Sequence, residues 1–187
     1  MPAANISYFV RWFLVILWGL GMVSLSFFGR DISNVLYVTM PFPAILIFSC
    51  GLGIAALICW LYYKLQLRKL SAYGWLAAII LLHIFLMTKV NQIDEIVHYP
   101  ISGILSVLIY RALGLSQKGK QVWVFAFLLS ATICIAEEVL QRYIPGRYFS
   151  WDDIFKNMVG AFFGLVIMAI ILRERRSLPQ KCPKPFA

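Results

Sequence analysis

Apolar runs close to the length of a membrane-crossing helix, about 20 residues, alternate along this chain with short polar clusters. The runs fall at residues 8–28, 43–63, 75–90, 96–113, 122–140 and 154–172. The first ends at Gly29, Arg30 and Asp31, and residues 35–42 then form an interfacial stretch in which Pro41 and Pro43 prevent one continuous helix. A basic turn with Lys64, Arg68 and Lys69 follows the second run. Asn91, Gln92, Asp94, Glu95 and His98 separate the third from the fourth, and Pro100 suits the first turn of the fourth helix, where a missing N–H leaves no helical bond unmade. The pattern predicts an all-α polytopic membrane protein, a bundle of about six transmembrane helices. Residues 1–74 hold two spans and a basic loop, residues 75–176 a four-span region, and residues 177–187 a basic tail.

Composition strengthens this picture. Hydrophobic residues make up 61% and charged residues 13% of the 187, whereas a soluble domain is about 45–50% apolar and about 25% charged. A water-soluble globule is excluded, and six spans leave no room for a separate soluble domain. Residues 1–8 carry no Lys or Arg and no small-residue cleavage pattern follows, so the first run reads as a span and not a removable signal. Cys50, Cys59 and Cys134 lie in apolar runs and Cys182 in the tail, a spacing that forms neither a disulfide framework nor a zinc motif.

The formal charge of +9 raises nucleic acid as a partner, and its distribution removes that reading. With six spans and a cytoplasmic N-terminus, 12 of the 17 Lys and Arg fall inside and seven of the 8 Asp and Glu fall outside, as expected when basic residues are retained on the cytoplasmic face. Tyr8, Trp12, Tyr63, Trp75, Trp123 and Trp151 stand near predicted helix ends, where amphipathic rings anchor at the interface. The expected partner is the lipid bilayer, with both termini cytoplasmic.

This topology gathers polar chemistry at the outer boundary. Asp94 and His98 share a helix face at i, i+4 spacing, where a carboxylate can orient an imidazole for acid or base work; the alternative is a histidine that bonds across helices. Glu137 and Glu138 end an apolar run, and because neighbouring helical residues point about 100° apart, at most one faces a given cavity squarely. An acid at the edge of hydrocarbon is costly unless paired or facing water, which favours a functional role for Glu138, on one face with Gln141, and an interface role for Glu137. Pro145 and Gly146 mark a turn, with Ser150 or Asp152 as the cap of the next helix. Asp153 and Asn157 continue into Gly160 and Gly164 on one face, where small residues admit a neighbouring backbone. Arg142 and Arg147 offer either a fork for phosphate or carboxylate, or partners for nearby acids. His83, deep in the third run, reads as an interhelical contact outside the site, and a lone deep polar group argues against a transporter.

The chain resembles the VanZ-like family of small bacterial membrane proteins. The resemblance rests on Asp94 with His98, Glu138 with Gln141, Pro145-Gly146-Arg147, and Asp153 with Asn157, Gly160 and Gly164, in that order over residues 91–168. Two departures stand out: Glu95 where members often carry Lys, and Ser150 where an acid is common. The resemblance implies a multi-pass protein of the bacterial inner membrane, with a link to teicoplanin-type glycopeptide resistance in the protein that names the family.

Two functions follow from the residues. The first is an enzyme acting on a lipid headgroup or lipid-linked envelope precursor at the outer leaflet. Asp94, His98, Glu138 and Asp153 would be its catalytic groups, and Gln141, Arg142, Arg147 and Asn157 its binding groups. The second is a non-enzymatic factor in which the same polar residues bind a lipid, an antibiotic or a partner protein, or lock helix ends together. A divalent cation on Asp and Glu oxygens is compatible with phosphate chemistry, although these spacings form no recognised metal motif.

Overall fold

The computed structural model describes residues 3–39, 62–63, 69–87, 97–114 and 119–176. Among these residues all regular structure is helical: α1 Ala3–Thr39, α2 Leu70–Met87, α3 His98–Leu113, α4 Gln121–Gln141 and α5 Trp151–Arg176. The apolar runs form helices because a helix satisfies its backbone polar groups internally, whatever surrounds it.

Helix boundaries differ from the pattern at the first two elements. The apolar run of α1 ends near Phe28, yet the helix continues through Gly29, Arg30 and Asp31 to Thr39. None of those three is a strong breaker: even Gly costs only about 1 kcal/mol in a helix interior, against about 3 for Pro, and the first proline beyond them is Pro41. Residues 35–39, expected as an interfacial stretch, are therefore helical. Helix α2 starts at Leu70, five residues ahead of the expected span. The span expected at residues 43–63 lies outside the described residues apart from Tyr62 and Tyr63, which are helical. Of the described helices, three have segments long and apolar enough to cross a membrane: Ser7–Phe28, Gln121–Gln141 and Trp151–Glu174. The shorter apolar helix is Leu70–Leu86, and α3 has 16 residues.

Side-chain bonds fix the helix directions. Arg11 donates to the Arg111 carbonyl (2.7 Å) and Trp18 Nε1 to the Ile101 carbonyl (3.0 Å), which sets α1 antiparallel to α3. Lys69 at the head of α2 pairs with Glu174 near the end of α5 at 3.1 Å. Helices α3 and α5 run parallel and meet at their glycines: a Cβ on Gly160 would run into the Tyr99 carbonyl and Ser102 Oγ, and one on Gly164 into the Gly103 carbonyl and Ser106 Oγ. Ser106 Oγ lies 2.8 Å from the Gly103 carbonyl of its own helix and 2.9 Å from the Ala161 carbonyl of α5, bonding within and across the seam.

Large apolar side chains face outward, among them Phe9, Phe13 and Leu20 on α1, Trp75 and Leu81 on α2, and Phe155 and Phe162 on α5. The interior combines Leu105, Ile109, Ala126 and Cys134 with buried Ser102, Ser106 and Ser130. Small and hydroxylated residues inside, with bulk outside, suit helices that pack without water driving them together. The bundle has two chemically distinct ends. One carries Arg11, Lys69, Arg111 and Arg173; the other carries Glu137, Glu138, Asp152 and Asp153.

Candidate functional site

The acidic end is formed by the start of α3, the end of α4, residues 142–150 and the start of α5. Glu138, in the last turn of α4, is fully buried at 0% exposure. Its Oε1 accepts the Ser150 N–H at 2.8 Å, while Oε2 has no hydrogen-bond partner among the described residues. The Ser150 side chain also accepts the Asp153 N–H at 3.2 Å. Ser150 is therefore the cap of α5, and the sequence alternative of Asp152 is set aside. The cap belongs there because the first N–H groups of a helix have no carbonyl partner within it. One serine thus joins the buried carboxylate of α4 to the head of α5.

Asp152 and Asp153 share one cation. Lys156 lies 2.9 Å from Asp152 Oδ2 and 2.8 Å from Asp153 Oδ1, and it is buried to 5% exposure while Asp152 is open. Asn157, one turn beyond Asp153 on the face that leads to Gly160, is fully buried, and neither its amide nitrogen nor its carbonyl oxygen has a partner among the described residues. Asp153, Glu137 and Arg147 all lie near enough for their charges to bear on Glu138. A buried polar atom without a partner costs about 1–3 kcal/mol; among the described residues such atoms are Glu138 Oε2, both side-chain polar atoms of Asn157, Glu137 Oε2 and, on α1, Trp12 Nε1, so Glu138 and Asn157 are the fully buried groups with bonding capacity left to use.

Glu137 is buried as well, where the sequence suggested an interface role. It faces α1: Ser26 Oγ and Gln141 Nε2 both donate to Glu137 Oε1, and Gln141 Nε2 also lies 3.3 Å from Ser26 Oγ. The 100° offset between consecutive residues explains why both acids are buried, one against α1 and one against the loop. Gln141, expected beside a ligand, is committed to this second network.

The remaining expected residues divide by position. His98 is half-buried in the first turn of α3, where its carbonyl accepts Ser102 Oγ at 2.6 Å. Asp94 lies outside the described residues, so the Asp94 and His98 pair stays an expectation. Arg147 is half-buried near Glu138, whereas Arg142 is exposed at the end of α4. His83 packs its ring on Tyr99 (5.7 Å) and Phe163 (4.8 Å), an interhelical contact away from the acids. Among the described residues no three His, Cys, Asp or Glu side chains are grouped to hold a metal ion. Sequence reasoning missed Ser26 and Lys156 as members of these networks. For Lys156 the signal was its i+3 and i+4 spacing from two acids; for Ser26 it was a hydroxyl inside an apolar run, which has no pairing signature until α1 meets α4.

The VanZ/LLP1 family model matches residues 4–172. The chain belongs to the VanZ/LLP1 family. The match reaches well N-terminal of the motifs at residues 91–168 and takes in α1, whose Ser26 completes the Glu137 network. No curated protein and no solved structure matches this family member. Its chemistry is therefore read from its own side chains.

Proposed function

We propose that this VanZ/LLP1 protein is a six-span protein of the bacterial inner membrane, with cytoplasmic termini, whose acidic end opens to the outer leaflet and receives the polar headgroup of a lipid or lipid-linked envelope precursor. The orientation follows the basic residues, which favour the cytoplasmic side. The observation that carries the reading is that Glu138 and Asn157 are both fully buried at this end and keep polar atoms without a partner among the described residues. Such groups are retained in an apolar bundle at a cost in stability, and a ligand that completes their hydrogen bonds accounts for them. Glu138 is the group for acid or base work on the headgroup, His98 in the first turn of α3 stands at the same end, and Arg147 supplies positive charge beside Glu138. An effect on teicoplanin-type glycopeptides would follow from altered lipid-linked precursors at the same face.

A second reading, a non-enzymatic binding factor, draws support from the bonds already made. Lys156 holds Asp152 and Asp153, and Ser26 with Gln141 holds Glu137, so three of the four described acids at this end serve the fold. Mass spectrometry of lipids and lipid-linked precursors from cells with matched levels of wild type or Glu138→Gln separates the two. A headgroup change present only with wild type supports chemistry. Identical lipid profiles, with binding lost in the variant, support the factor.

A further inference from the structure

The unpartnered atoms define what kind of group fits. At the acidic end the buried atoms without a partner among the described residues are Glu138 Oε2, Asn157 Oδ1 and Glu137 Oε2, which accept hydrogen bonds, and Asn157 Nδ2, which donates them. A ligand that completes the Glu138 and Asn157 atoms must donate at least twice and accept at least once. Charge narrows the choice further. Among the described residues at the acidic end, Glu137, Glu138, Asp152 and Asp153 stand against Arg147, Lys156 and the exposed Arg142, and Lys156 is already shared by two of the acids. Glu137 is held through Oε1 by the neutral partners Ser26 and Gln141. An end with more carboxylates than cations attracts positive charge and disfavours a bare phosphate.

We infer that the acidic end recognises a primary ammonium group borne by a phospholipid headgroup, of the phosphoethanolamine type. This inference rests on the headgroup reading above and specifies its ligand. The ammonium donates to Glu138 Oε2 and Asn157 Oδ1 and brings the missing positive charge. The ester oxygen two carbons away accepts from Asn157 Nδ2, and the phosphate remains toward Arg142 at the exposed end of α4. A choline headgroup has the same phosphate but no N–H to donate. A glycerol headgroup has hydroxyl donors but no positive charge. The site accordingly discriminates among three lipids that differ only beyond the phosphate.

The test is native mass spectrometry of the full chain, reconstituted in an equimolar mixture of phosphatidylcholine, phosphatidylethanolamine and phosphatidylglycerol and then extracted. The expected result is retention of phosphatidylethanolamine over the other two by about tenfold, with the preference lost in Glu138→Gln and in Asn157→Leu. The wild-type selectivity stands whether or not either variant folds. Equal retention of all three lipids, abolished by Glu138→Gln, overturns the ammonium assignment and leaves the headgroup reading in place. Equal retention that Glu138→Gln does not change overturns both. A parallel melting experiment in phosphatidylcholine discs adds soluble phosphoethanolamine. Stabilisation by the soluble compound, with no preference for the lipid, overturns the lipid as its source.

Discussion

The Ser150 N–H and Glu138 Oε1 are 2.8 Å apart, and the hydroxyl of the same serine caps α5 through the Asp153 N–H. The two bonds can be separated by mutation. Ser150→Ala keeps the N–H and removes the cap, and should cost about 1 kcal/mol of stability with lipid retention little changed. Ser150→Pro removes the cap and also the N–H to Glu138, so its effect beyond that of Ser150→Ala reports the Glu138 bond; it should lower the melting temperature further and lower lipid retention. Thermal unfolding in detergent alongside retained-lipid analysis checks the pair, and equal effects of both variants on lipid would contradict this division.

Gly160 and Gly164 are where α3 and α5 come closest, backbone against backbone. Gly164→Ala should destabilise the protein by about 1–3 kcal/mol, the usual range for overpacking a tight seam, with Gly160→Ala similar. Gly19→Ala is the control, since nothing lies within 4 Å of its added Cβ; it should be neutral or stabilising by up to about 1 kcal/mol through helix propensity. Melting curves of the three variants at matched detergent concentration decide it.

Lys156 is buried between two carboxylates, one open and one mostly covered. Lys156→Met should destabilise by about 1.5–3 kcal/mol, the scale of a charge-assisted hydrogen bond whose partner is left without its cation. The more covered partner is Asp153, so adding Asp153→Asn should recover part of that loss, while Asp152→Asn should recover little. A double variant no more stable than Lys156→Met alone would remove Asp153 as the partner that matters.

Ser26 and Glu137 join α1 to α4. A double-mutant cycle with Ser26→Ala and Glu137→Gln should give a coupling energy of about 0.5–3 kcal/mol, as expected for residues in one buried network. Additive effects would place the two outside a shared network.

The helical class and the approximate placement of α3, α4 and α5 were legible because apolar runs of near-membrane length, bounded by Pro, Gly and charge, have few other readings. The extension of α1 beyond Phe28 was not, because a polar cluster ends hydrophobicity without ending a helix. Within the site, Glu138, Asp153 and Asn157 stood out as costly polar residues beside an apolar run or on its small-residue face. The roles of Ser26, Lys156 and Gln141 depended on which helices meet, and spacing within one helix does not specify its neighbours. Ser150 shows the intermediate case: its capping role could be read locally, whereas its bond to Glu138, twelve residues back, required the turn at Pro145 and Gly146 to bring the chain around.

Glu137 and Glu138 are consecutive, yet one is bonded to α1 and the other to the loop before α5. Turning α4 about its long axis by one residue's worth would bring one acid to the other's azimuth, swing the second away from both partners, and strand both sets of bonds. The adjacent carboxylates therefore act as an azimuthal index. They fix the roll of α4 in a bundle whose outward-facing apolar side chains would tolerate many settings, and they tie the heading of its last turn to α1 and to the loop at once.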